Sequence, residues 1–131
     1  MNKNTTILII INNPELRQLY HEILITEHWE ILIAEDTANG LLQLIGHPDI
    51  THIIFDIQIN HLEAEKFLQL LNGKSKWKKL PIIILDYQEI GHQNQFLESL
   101  IKQFPTILHL DTHLTSPDKL IDQIKKIITL P

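Results

Sequence analysis

Residues 7–23 read ILIIINNPELRQLYHEI: five consecutive aliphatic residues, an Asn-Pro pair, then Leu16, Leu19, Tyr20 and Ile23 at i, i+3, i+4 and i+7. The aliphatic run is too continuous for a strand with one wet face, so residues 7–11 are expected to form a strand buried on both sides, as in a parallel sheet. Asn13 fits an N-cap, and Pro14 fits the first helical position, where a missing N–H costs nothing. The stripe behind them predicts a helix that buries one side and ends near His28.

The same unit recurs along the chain. Residues 31–34 read as a second strand, followed by a helix capped by Asp36 or Thr37, with Leu41, Leu42 and Ile45 inward and a turn at Gly46-His47-Pro48-Asp49. A third strand is expected over 52–57. Its helix carries Phe67, Leu70 and Leu71 and stops at Asn72-Gly73, a helix-ending pair. A lysine-rich loop leads to strand four over 80–85, then a helix over about 93–104 with Phe96, Leu97, Leu100 and Ile101 inward, stopped by Pro105. Strand five is expected over 106–110. Ser116-Pro117 repeats the cap-then-proline start, and Leu120, Ile121, Ile124, Ile127 and Ile128 make the last stripe. Five strands alternating with five helices imply a doubly wound α/β fold, because each right-handed crossover lays a helix on a face of the parallel sheet.

Composition narrows the function classes. The 131 residues suit one domain, and 44% hydrophobic with 21% charged residues is ordinary for a globular chain. Isoleucine and leucine dominate at 24 and 21, while valine and cysteine are absent, so no disulfide, thiolate metal site or cysteine nucleophile is possible. The N-terminal MNKNTT is polar and the following apolar run is too short for a signal peptide or membrane span, so a cytoplasmic location without membrane attachment is expected. A net charge of -5 opposes direct nucleic-acid binding, which needs a basic footprint. The loop with Lys74, Lys76, Trp77, Lys78 and Lys79 reads as a solvated connection at the amino ends of the strands. If it docks anything, an acidic protein fits best. The four glycines are scattered, so no phosphate-cradling loop is present, and no Ser-His-Asp or metalloprotease pattern is found.

In such sheets the functional crevice lies beyond the carboxyl ends of the strands. Those positions hold Ile11 and Asn12, Asp56, Asp86, then Asp111, Thr112 and His113. The segments ILIIINNPELRQL, HIIFDIQINHLEAEKFLQLL, LPIIILD and SPDKLIDQI, with 44 residues from Asn12 to Asp56 and 30 from Asp56 to Asp86, resemble the receiver domain of two-component response regulators, the CheY-like, flavodoxin-like fold. The likeness spans essentially the whole chain, as one receiver-like domain over residues 1–131, and implies strand order 2-1-3-4-5.

That resemblance implies an aspartate taking a phosphoryl group from a histidine kinase, Mg²⁺ held by an acidic pair after strand one, and a Thr or Ser and a Lys contacting the phosphoryl oxygens. Asp56 matches the phosphoacceptor. Ile11 and Asn12 stand at the acidic pair, Asp86 stands at the hydroxyl position, and the Lys position falls on Thr112 or His113. Asn60 and Ala64 stand where the family often has Pro and Gly. The chain is thus similar to a degenerate receiver.

Mg²⁺ wants oxygen ligands and usually one or two carboxylates. Isoleucine supplies none and asparagine supplies one neutral carbonyl, so Mg²⁺ binding is expected to be weak or absent, with no other cofactor or metal. Two unit charges about 4 Å apart repel by about 4 kcal/mol at an effective dielectric near 20, so an Asp86 carboxylate beside a phosphoryl group opposes its attachment. The plain reading of Asp56 is then an inherited acid hydrogen-bonded at a strand end, and that of Asp86 a loop or helix cap. A sharper one has the two sharing a proton or a cation. His109, Asp111 and His113 alternate along a strand, but no fourth metal ligand is visible, and Asp111-Thr112-His113 lacks the glycine of a cobalamin pattern.

The expected function is a signalling module without catalytic activity, binding a histidine kinase or a downstream protein and not switched by phosphorylation. Two other readings stay open: a receiver still phosphorylated on Asp56, and a small-ligand or metal-binding α/β domain. Receivers commonly pair through helix four, strand five and helix five, so a homodimer through that face, with apolar exposure there, is a further expectation.

Overall fold

A computed structural model describes residues 5–56, 61–86, 95–104, 107–111 and 117–129. The elements alternate as β1 (Thr6–Ile10), α1 (Pro14–Ile25), β2 (Glu30–Ala34), α2 (Thr37–Gly46), β3 (His52–Asp56), α3 (His61–Asn72), β4 (Ile82–Asp86), α4 (Gln95–Gln103), β5 (Ile107–Asp111) and α5 (Pro117–Thr129). The five strands form one parallel sheet in the order β2-β1-β3-β4-β5, as the resemblance implied.

Strand alternation sorts the core into two layers. Leu8, Ile10, Ile53, Phe55, Ile82 and Ile84 face α2, α3 and α4, meeting Leu44, Phe67, Leu68 and Leu100. Ile7, Ile9, Ile54, Ile83 and Leu85 face the other way, onto Tyr20 and Leu24 of α1 and Ile124 and Ile128 of α5. On the first face the Phe55 and Phe67 rings stack with centroids 5.7 Å apart. β-branched isoleucine suits these strands because its restricted χ1 costs little on a pleated surface.

Caps set the helix starts. Asn13 accepts from the Leu16 N–H at 3.0 Å, as the Asn-Pro pair predicted, and Asp36 accepts from the Asn39 N–H at 2.8 Å. α1 stops at Ile25, three residues short of the expected end, and His28 turns the chain into β2 with φ of 64°, in the left-handed region.

Several expectations about helix faces need correction. Leu42 and Ile45 are 65% and 60% exposed, while Gly40 and Leu44 are the buried residues of α2. The reason is close approach: a Cβ on Gly40 would sit 2.6 Å from the Ile10 Cδ1, so the helix turns its glycine to the sheet. Leu19 and Leu70 are also exposed, and Leu24, Ala64 and Leu68 fill the core in their place. Trp77 is a core residue and not a surface aromatic: it is 7% exposed, with the Lys76 ammonium 4.9 Å from its ring centroid. Leu100, Ile124 and Ile128 are buried as expected, Phe104 is buried as well, and the Phe96, Leu97, Ile101 and Leu120 side chains, Pro105 and Ser116 lie outside the described residues.

Candidate functional site

The carboxyl ends of β1, β3, β4 and β5 share one end of the sheet, as parallel pairing requires. Asp56 is the last residue of β3, paired in register with Leu85 of β4, and is 2% exposed. Alternation from Ile54 places its side chain on the α1 and α5 face. Asp86 ends β4 in register with Asp111 of β5. The strand expected to stop at residue 110 runs one residue further, so Asp111 stands beside Asp86. Asp56, Asp86 and Asp111 thus end three adjacent strands. Thr112 and His113, the expected lysine-position residues, lie outside the described residues, as does Asn60.

After β1 the chemistry differs from what an acidic pair would provide. Ile11 has no exposed surface and its side chain belongs to the α1 and α5 core, so at this end it offers its backbone alone. Its N–H donates to the Ala34 carbonyl at 3.1 Å. The exposed Asn12 donates through its side-chain amide to the Glu35 carbonyl at 3.4 Å. Arg17 was missed by the sequence reading. Its guanidinium donates to the Ile11 carbonyl at 2.8 Å and the Asn12 carbonyl at 3.3 Å, which fixes a full positive charge on the loop after β1. The signal was available: the Asn13 cap sets the first turn of α1 at the carboxyl end of the sheet, and Arg17 donates its N–H back to the Asn13 carbonyl.

These residues do not fit Mg²⁺ well. The loop supplies one neutral amide and an arginine where a hard cation needs carboxylate oxygen. Among the described residues no group of three or more His, Asp or Glu is placed to hold a metal ion. Ala64 is fully buried beneath the start of α3, so a small residue is required there by packing.

No protein-family model and no curated protein matches the sequence. Solved structures do match in shape. The chemotaxis protein CheY4 of Vibrio cholerae superposes with a TM-score of 0.77 at 17% identity, over 94% of this chain and 98% of that one. A response regulator receiver protein from Pseudomonas putida gives 0.74 at 14%, over 96% and 99%. The receiver domain of the hybrid histidine kinase CckA gives 0.68 at 15%, over 95% and 99%. The chain has the receiver-domain fold. In this receiver fold Asp56 stands at the carboxyl end of the central strand β3, between β1 and β4. Shape survives at such low identity because the pattern of buried strands and one-sided helices, and not particular residues, sets the two layers.

Among the described residues no helix is long and apolar enough to cross a membrane. Among the described residues the exposed large hydrophobic side chains are Leu19, Ile25, Ile33, Leu42, Ile45, Leu62 and Leu70, on α1, β2, α2 and α3. The described exposed residues of α4 and α5, among them Glu98, Lys102, Asp122 and Lys126, are polar.

Proposed function

We propose that this receiver-fold chain is a non-enzymatic protein-interaction module of two-component signalling in the cytoplasm, whose output does not depend on a phosphoryl group at Asp56. Its partner is a histidine kinase or a downstream signalling protein. The observation that carries this reading is the Arg17 guanidinium seated on the Ile11 and Asn12 carbonyls. Phosphoryl transfer to an acid relies on cations positioned around the moving group, chiefly a bound metal that neutralises its oxygens. Here a fixed cation and a neutral amide stand after β1, the Ile11 side chain is in the core, and Asp86 and Asp111 end the two strands beyond Asp56. An arginine and an amide in place of an acidic pair disfavour a metal at this loop, and two further acids at the ends of β4 and β5 add negative charge to the end of the sheet where a phosphoryl group would sit.

The alternative, a living acceptor, is favoured by one feature: Asp56 ends the central strand at the end of the sheet where that acid belongs. Asp56→Asn separates the two readings. Unchanged partner binding and cellular output, with no mass increase of the parent after acetyl phosphate, is the expected result. Loss of output in a folded Asp56→Asn protein, with phosphate found on the parent, would overturn it.

A further inference from the structure

α2 is a surface helix with a sequence that suits an interior. Its ten residues, TANGLLQLIG, contain no ionisable side chain, in a chain with 16 acidic and 11 basic residues. One side, Gly40 and Leu44, meets the sheet. The opposite side exposes Leu42 at 65% and Ile45 at 60%, one turn apart. A helix apolar on both sides is normally covered on both sides.

Grooves flank this crest. Toward β2 lies an open hollow of about 430 Å³ beside the 41% exposed Ile33, bordered by Leu42 and Gly46. Toward α3 lies a second, of about 230 Å³, bordered by Leu41 and Leu70. From these observations the geometry points to the outer face of α2 as a two-fold contact with a second copy of this chain, the two α2 helices packed antiparallel. Three arguments select a second copy as the occupant.

The first is shape. A two-fold interface uses one patch twice, so that patch must carry both a projection and a hollow; here the Leu42 and Ile45 crest stands directly beside the Ile33 groove. The second is charge. Two copies that each carry -5 repel wherever their acidic surfaces meet, and α2 is the helix that can form the centre of a self-contact without opposing like charges. The rim is balanced, with Arg17 and Glu35 along one groove and Lys66 and Glu63 along the other, so each side of the two-fold can set a cation against an acid. Antiparallel helices also oppose their dipoles favourably.

The third is area. The exposed parts of Ile33, Leu42, Ile45 and Leu70 amount to roughly 300 Å² of apolar side chain, a suitable centre for a dimer interface of about 800 Å² per partner once the polar rim is added. This contact lies on the opposite edge of the sheet from α4, β5 and α5, the face that the family resemblance suggested. It stands whether or not Asp56 is ever phosphorylated.

Sedimentation velocity across a wide concentration range tests it. The parent chain should form a dimer, and Leu42→Lys with Ile45→Lys should weaken that dimer about a hundredfold, as loss of two central contacts does. Leu42→Gln alone should weaken it about tenfold. Both positions are exposed, so circular dichroism should match the parent, and Tm should match it at dilutions where both are monomeric while falling below it where the parent is dimeric. Gln123→Lys, on the exposed side of α5, should leave association unchanged. A parent chain that stays monomeric at every concentration, a dimer indifferent to the α2 substitutions, or a dimer lost with Gln123→Lys would each overturn the assignment.

Discussion

Thr6, Thr51 and His52 join the amino ends of β1 and β3 in a short side-chain network. The Thr51 hydroxyl accepts from the Thr6 N–H at 3.1 Å and donates to the Thr6 carbonyl at 3.0 Å. The hydroxyl also lies 2.8 Å from His52 Nδ1, a contact whose donor depends on the imidazole tautomer. The cost of charging the ring comes from its half-buried position, which lowers the His52 pKa below its ordinary 6.5. A lowered folded-state pKa means that stability is fully present above the unfolded value and is lost as pH falls through the folded one. Denaturant titrations between about pH 7.5 and about pH 5 should therefore show a downward slope that is shallower in His52→Gln than in the parent. An identical slope in both would overturn the assignment of this pH dependence to His52.

Gly40 holds α2 to β1 at a distance no larger residue permits. Alanine would gain about 1 kcal/mol in helix propensity but would overpack against Ile10, at a cost of about 1–3 kcal/mol, so Gly40→Ala should destabilise by about 1 kcal/mol. Ile10→Val removes the Cδ1 that the added methyl group would meet, so the double variant should lose less stability than the sum of the single ones, measured by a denaturant-unfolding cycle. The same contact explains what the sequence could and could not disclose about α2. Its boundaries follow from Asp36 and from Gly46-His47-Pro48, local signals that operate within one turn. Its facing does not, because Leu41, Leu42, Leu44 and Ile45 lay down two overlapping apolar stripes, and a glycine decides between them by a contact with a distant strand. Trp77 is similar: loop lysines surround it in sequence, while Leu68, Leu71 and Phe104 surround it in the core. Asp56 was legible because an acid ending a buried aliphatic strand is conspicuous. Arg17 was legible only as a residue on the first turn of α1, since the two carbonyls it reaches are aimed by a turn. Lys125 reaches from α5 to Glu27, in the turn after α1, at 2.7 Å, and that carboxylate raises the lysine pKa.

Across the whole molecule, the end of the sheet that holds Asp56 also gathers the loop after β1 and the acids that end β4 and β5. Calorimetry on the unaltered chain should show no tight Mg²⁺ binding. Asn12→Asp combined with Arg17→Gln adds a carboxylate and removes the guanidinium, and should strengthen binding several-fold by the charge change alone. Ile11→Asp would add a second acid only by placing it in a fully buried position, so it should cost stability before it helps a metal. Tight binding by the parent would contradict this account of the loop. The opposite edge of the sheet carries a different safeguard. Glu30 and Ala34 direct their backbone bonds to β1, through the Thr5 carbonyl and the Ile11 N–H, so the Ile33 carbonyl between them points outward from the border of the sheet. The Gln43 side chain reaches back from α2 and donates to it at 3.2 Å. A stray extended chain that tried to add to this border would find the acceptor already taken and a helix turn in its path. One glutamine thus occupies an outward acceptor on a border strand rich in isoleucine and leucine, the kind of edge along which extended chains otherwise add.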